Sequence, residues 1–268
     1  MINKRIISGV LRKLKLLYMF DYAFYFLEKR RNKTRNEDFK KQHPEVKLPP
    51  DYLMYESFQL DYFKYFEESK ESAKWVADHF IGQDNLDNKT ILDWGCGPGR
   101  VIRHLPNYFG KNCSFYGTDY NAESISWCKK NLPNIAFNKN ELEAILPYQS
   151  NFFDFIYGIS IFTHLSEQLH FDWAKELLRV LKPGGVLMLT TQGENFKIKL
   201  TQEESSIFEK GDLVVRGDVK EGHRTYSAFH PEKFMRELLK NAKILTHEKR
   251  PIINGRALPQ DVWLISKE

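Results

Sequence analysis

Ile91-Leu92-Asp93-Trp94-Gly95-Cys96-Gly97-Pro98-Gly99-Arg100 holds the densest chemical signal in this 268-residue chain. An apolar run leads to Asp93 and then opens into glycines at alternating positions, the pattern of a strand feeding a tight loop. In a doubly wound sheet such a loop lines the crevice at the carboxyl ends of the strands, where ligands bind. Alternating glycines tolerate positive φ and let the backbone approach a ligand closely. Asp93 places a carboxylate beside that ligand, which disfavours a pyrophosphate and suits an ammonium group or bound water. The spacing departs from the dinucleotide fingerprint Gly-x-Gly-x-x-Gly, because the third glycine comes one place early and Pro98 intervenes. No phosphate-loop Gly-Lys-Ser/Thr is present. A purely structural βα turn is the other reading of these residues.

The loop needs a sheet to position it, and the sequence supplies one. Strand-like runs at 90–94, 114–118, 135–138, 153–159 and 186–191 alternate with helical stretches. That βαβ rhythm predicts a parallel sheet covered on both faces. Upstream, a helix is expected from Asp61 to Phe80, and the prolines of 43–50 read as a linker. Ile6, Ile7, Val10, Leu14, Leu17 and Tyr18 recur at helical spacing opposite Lys4, Arg5, Ser8, Arg12 and Lys15. Residues 1–50 therefore read as a basic amphipathic helical extension with its linker, and 51–268 as the enzyme-sized domain. Such a helix lies on an anionic membrane surface, or packs on the protein's own body or a second subunit.

Charge is unevenly spread. Residues 1–41 carry 12 Lys/Arg against 4 Asp/Glu, and the remaining 227 carry 28 against 31. The body thus lacks the positive field expected around a nucleic-acid active site, and a nucleic-acid acceptor is not expected. Three cysteines (Cys96, Cys113, Cys128) without Cys-x-x-Cys, and eight histidines without His-Glu-x-x-His, argue against a disulfide scaffold or zinc site. They point to a reducing, cytoplasmic setting, with contact to the inner face of a membrane if the N-terminal helix binds lipid. No 18-residue uncharged apolar run suggests a membrane span.

Asp93-x-Gly95-x-Gly97-x-Gly99 resembles the first motif of class I S-adenosylmethionine-dependent methyltransferases. The resemblance continues through Phe115-Tyr116-Gly117-Thr118-Asp119, Asn138-Lys139-Asn140-Glu141, Phe153-Asp154-Phe155-Ile156-Tyr157-Gly158-Ile159-Ser160 and Leu177–Gly185 with its Pro183-Gly184-Gly185 turn, covering roughly 89–191. It implies an α/β fold: a Rossmann-like, doubly wound, seven-stranded sheet whose last strand is antiparallel. It also implies S-adenosylmethionine as cofactor and S-adenosylhomocysteine as product. By the resemblance, the cofactor would be held by Asp93, Gly95, Cys96, Gly97, Gly99 and Arg100, by Asp119 and Tyr120 at the ribose, by Asn140 near the adenine, and by Ser160. Capping of the next helix is the alternative for Asp119, and an ordinary polar loop for Asn140.

Phe162-Thr163-His164-Leu165, Ala228-Phe229-His230-Pro231 and Gln260-Asp261-Val262-Trp263 further resemble bacterial methyltransferases of glycan and secondary-metabolite type. A hydroxyl acceptor would benefit from a general base, and His164, following the fourth strand, is the first candidate. Its alternatives are to shape the loop through hydrogen bonds or to contact the cofactor from below. The long connection 192–229 reads as a lid or substrate insertion, making His223, Arg224 and Tyr226 candidate substrate contacts, with Asp261 near the same crevice. His230 reads as an N-cap-like element. No Asn-Pro-Pro-Tyr follows the fourth strand and no carboxylate cluster has metal-ligand spacing, so no metal is expected. The expected function is methylation, at oxygen, of a small-molecule or glycan-linked acceptor. N-methylation of a small amine and a catalytically inactive cofactor-binding partner subunit are the alternatives, and a nicotinamide oxidoreductase is opposed by the loop spacing.

Overall fold

Short apolar runs become strands wherever both faces are covered, and in β1 (Thr90–Trp94) every residue after Thr90 is buried. The computed structural model describes residues 17–82, 86–253 and 257–268. The amphipathic pattern of residues 1–16 lies outside them. Seven strands form one sheet, in the spatial order Ala136–Lys139, Ser114–Asp119, β1, Phe153–Gly158, Leu181–Thr191, Asp261–Ser266 and Lys243–Glu248, the Rossmann-like arrangement the motifs imply. The chain divides into two compact units, Leu16–Asn140 and Glu141–Glu268.

In the first unit, β1, β2 (Ser114–Asp119) and β3 (Ala136–Lys139) run parallel, with Leu92 beside Tyr116 and Tyr116 beside Ala136. Ahead of them come α1 (Leu17–Arg31), α2 (Lys33–Gln42), α3 (Asp51–Ser57) and α4 (Tyr62–Ile81). Residues 43–50 are not helical, as their prolines require. Helix α4 starts where Asp61 accepts from the Lys64 N–H, and Arg35 holds the same carboxylate at 2.6 Å. Its buried positions, among them Tyr65, Ser69, Ala73, Val76 and Phe80, recur every three or four residues. Tyr25, Phe39, Met54, Tyr55, Leu60, Tyr62 and Tyr65 form a largely aromatic core. Each such side chain contributes about 1.5–3 kcal/mol when fully buried. α5 (Ala122–Asn131) connects β2 to β3 and is capped by Asn121, which accepts from the Glu123 and Ser124 N–H groups.

In the second unit, β4 (Phe153–Gly158) and β5 (Leu181–Thr191) pair in parallel around α6 (Glu167–Val180). Pro183-Gly184-Gly185 does not form a separate turn ahead of the strand. Gly184, at φ 73°, sits within β5, and the pairing to β4 shifts register between Phe153 and Phe155. β9 (Asp261–Ser266) is antiparallel to both β5 and β8 (Lys243–Glu248). Between β5 and β9 lie α7 (Gln202–Lys210), the ribbon of β6 (Val214–Arg216) with β7 (Ser227–Phe229), and α8 (Glu232–Leu238). A satellite core of Phe196, Leu200, Phe208, Val214 and Phe229 supports that ribbon.

Candidate active site

The loop after β1 is built from left-handed backbone: Gly95, Gly97 and Gly99 stand at φ 77°, 51° and 75°. Only glycine adopts these angles without cost, which accounts for the alternation. At Gly97 a Cβ would also meet the Ser57 Cβ at 3.1 Å, so α3 closes on the loop. The Gly95 and Cys96 N–H groups both donate to the Thr118 carbonyl, at 2.8 and 2.9 Å. Tyr65, fully buried on α4, donates its hydroxyl to the Pro98 carbonyl at 2.7 Å. The loop is therefore held from β2 and from α4, neither contact being visible in local sequence.

Asp93, the penultimate residue of β1, is buried. Asp119 ends β2 and accepts from the Gly97 N–H through Oδ2 and the Asn121 N–H through Oδ1, each at 2.8 Å. Burial pushes the Asp119 carboxyl up, while those two N–H groups oppose the shift. Asn121, rather than Asp119, caps α5. A carboxylate offers about four acceptor sites, so two remain after these bonds. Such an acceptor set fits a ribose diol and an amino acid ammonium, the groups S-adenosylmethionine presents, and does not fit a phosphate. Asn140 joins this group, its N–H donating to the Asp119 carbonyl at 3.2 Å. Tyr120 follows directly, its hydroxyl pushed up to about 12 by burial and then by Asp119 and Glu56. Cys96 and Cys128 are buried thiols, both pushed up chiefly by burial. Arg100 stacks on Phe58, just past the end of α3, at 4.2 Å and donates to Ser72 on α4.

The second unit assembles another polar group beyond β4. Ser160 holds φ 65°, a strained value for a residue with a Cβ. Its N–H donates to Thr190 Oγ1 at 2.8 Å, Thr190 donates to Gln260 Oε1 at 2.5 Å, and Gln260 Nε2 returns to Ser160 Oγ at 2.9 Å. Thr163 Oγ1 closes the turn onto the Ser160 carbonyl at 2.6 Å. That turn presents His164, whose Nδ1 lies 2.9 Å from the Tyr226 carbonyl. A carbonyl only accepts, so Nδ1 carries the proton and Nε2 of the neutral ring keeps its lone pair. Burial lowers the His164 pKa below its usual value, the Tyr226 carbonyl opposes this, and the charges of His223 and Arg224 add to the lowering.

His164, Tyr226 and Ser160 thus come together, and the Gly222 N–H donates to the His164 carbonyl at 2.9 Å. His223 turns to Thr225 Oγ1 at 2.8 Å. His230 does not cap α8, whose N-cap is Pro231. It is buried with its Nε2 2.9 Å from the Nε2 of His170, which stacks on Phe162. His170 Nδ1 donates to the Ser166 carbonyl, so the proton between the rings is that of His230. Asp261 has a different partner: Oδ2 accepts from His247 Nε2 at 2.9 Å, and His247 stacks on Trp263 with ring centroids 3.6 Å apart. A Cβ on Gly193 would fall 2.2 Å from that carboxylate, so a larger residue there would push Asp261 aside. Sequence reasoning missed Tyr65, Ser57, Gln260 and the His170–His230 pair, because their partners lie 33 to 100 positions away. Among the described residues no group of three or more His, Cys, Asp or Glu could hold a metal ion.

A seven-stranded sheet with one antiparallel strand, opening its ligand loop after β1, defines the class I methyltransferase architecture. Residues 91–185 match the family described as "Methyltransferase domain". The chain accordingly carries a class I, S-adenosylmethionine-dependent methyltransferase domain. It is 30% identical over 149 residues to sterol 24-C-methyltransferase of Schizosaccharomyces pombe, covering 52% of this chain and 38% of that one. It is 29% identical over 144 residues to the tRNA (carboxymethyluridine(34)-5-O)-methyltransferase of Arabidopsis thaliana, covering 53% and 32%. The chain therefore spans less than two fifths of the length of either relative. In fold it resembles a SAM-dependent methyltransferase from Methanosarcina mazei, with a TM-score of 0.55 at 22% identity over 70% of this chain and 96% of the other.

Proposed function

We propose that the chain transfers a methyl group from S-adenosylmethionine to an oxygen of a small-molecule or glycan-linked acceptor, with His164 as general base. The single observation that carries this reading is the tautomer of His164. The Tyr226 carbonyl fixes the proton on Nδ1, and burial keeps the ring neutral near pH 7. A neutral Nε2 lone pair is what removal of a hydroxyl proton requires. The bound cofactor supplies an electrophilic methyl on a sulfonium. Asp119 would accept from the ribose hydroxyls, Asp93 would face the ammonium, and the glycine loop would let the backbone approach. The Ser160–Thr190–Gln260 network holds the turn that presents His164, so positioning supplies much of the rate.

The relatives named above act on a sterol and on tRNA. The acceptor is read here as small or glycan-linked because residues 42–268 carry no excess of Lys/Arg over Asp/Glu. Residues 192–229 serve in this reading as the acceptor-binding insertion, with His223, Arg224 and Tyr226 facing it. The test is transfer of labelled methyl from S-adenosylmethionine into three pools: hydroxylated small molecules and glycans, small amines, and total tRNA. Label in the first pool alone is expected. Label in tRNA alone would replace the acceptor assignment. Cofactor binding without transfer to any pool would favour an inactive partner subunit.

A further inference from the structure

Helix α1 packs one face and exposes the other, and the exposed face is the apolar one. On the packed side Tyr25 is buried against Tyr55 at a 5.4 Å ring separation, and the Tyr55 hydroxyl donates to the carbonyl and carboxylate of Asp21. At 100° per residue, Met19, Phe20, Phe24, Phe26 and Leu27 fall on the opposite half. They are 69%, 46%, 57%, 52% and 60% exposed. Scattered exposed hydrophobics are ordinary, but a contiguous face of this kind marks an interaction surface. The same helix ends in Lys29-Arg30-Arg31, followed by Lys33, and the Arg31 and Lys33 side chains are 79% and 72% exposed. Their carboxylate neighbours, Glu28 and Glu37, are near-surface pairs that solvent screens.

We propose that this face of α1 docks on an anionic lipid bilayer, lying along the interface. Its large apolar side chains would enter the headgroup boundary, and Arg30, Arg31 and Lys33 would meet the phosphates. Charge complementarity selects this occupant. An apolar face beside a cationic run matches acyl chains beside anionic headgroups. A two-fold contact between copies would instead add two cationic runs to one assembly without an acidic counter-face. The helix has 15 residues, and no helix among the described residues is long and apolar enough to cross a membrane, so the mode is surface binding.

The proposal stands independently of the methyl acceptor. Its test is cosedimentation of the full chain with vesicles of phosphatidylcholine alone and of phosphatidylcholine with phosphatidylglycerol. Two variants accompany it, Phe20→Ser/Phe24→Ser/Leu27→Ser and Arg30→Glu/Arg31→Glu, with S-adenosylhomocysteine affinity as the check on folding and light scattering for mass. Binding to the anionic vesicles is expected, falling about tenfold or more in each variant and on raising the salt. A full chain that stays in the supernatant overturns the proposal. So does binding that neither variant changes. A dimer that the triple serine variant dissociates would show that a second copy covers the face, and would overturn it too.

Discussion

Asp119 and His164 carry the two halves of the proposed chemistry, and each can be tested by one substitution. Asp119→Ala removes the proposed ribose acceptor and the anchor of the Gly97 N–H, so S-adenosylhomocysteine affinity should fall about tenfold or more by calorimetric titration. Unchanged affinity would remove the ribose assignment. His164→Gln should lower kcat by about 10²–10⁴ with cofactor affinity preserved. In the unsubstituted protein, kcat/KM should stay flat through neutral pH and decline only below 6.5, because burial depresses the His164 pKa. A decline centred above 6.5 would rule out this imidazole as the base. The residue types were legible in the sequence at both positions. The hydrogen-bond partners that set their protonation were not, since Tyr226 is 62 residues from His164.

At the scale of elements, the glycine loop depends on helices that precede it in the chain. Gly97→Ala meets two costs, the positive φ and the Ser57 Cβ at 3.1 Å. Thermal unfolding should show a loss of about 1–2 kcal/mol, and Ser57→Gly in the same chain should restore only the steric part. Tyr65→Phe leaves the Pro98 carbonyl without its hydroxyl donor and should cost about 1–3 kcal/mol in urea unfolding. A null result would mean that the Pro98 carbonyl finds another donor. The short apolar runs marked β1 to β4 to within a residue but began the fifth strand five residues late, and the helical spacing marked α4, because local periodicity reports which faces are covered. It could not show that Pro183-Gly184-Gly185 lies inside β5, since a bulge is defined by the neighbouring strand.

For the whole molecule, buried histidines set the response to acid. Burial lowers His104 and His170 to about 4 and depresses His164 and His230 as well. Below about pH 6.5 the unfolded chain takes up protons that these folded sites refuse. Folding stability is therefore complete above about 6.5 and is lost as pH falls toward 4. Asp119, whose pKa burial raises, works in the opposite sense. The urea midpoint should fall steadily from pH 7 to 4.5, and His170→Gln should flatten that slope. A midpoint independent of pH over this range would contradict the burial argument.

Short-range spacing and apolar periodicity encode the fold class, the glycine loop, the acidic residues near the ends of β1 and β2, and the family, so all of these are legible in the chain alone. The sequence also places the cationic excess in the first 41 residues. Folding was needed to show that Tyr65 and Ser57 close on the loop, that His230 pairs with His170 rather than capping α8, and that Asp261 holds His247. It likewise decided that the apolar side of α1 faces outward. A side chain's type is written in the chain, but its proton, its partner and its exposure depend on residues that only folding brings near.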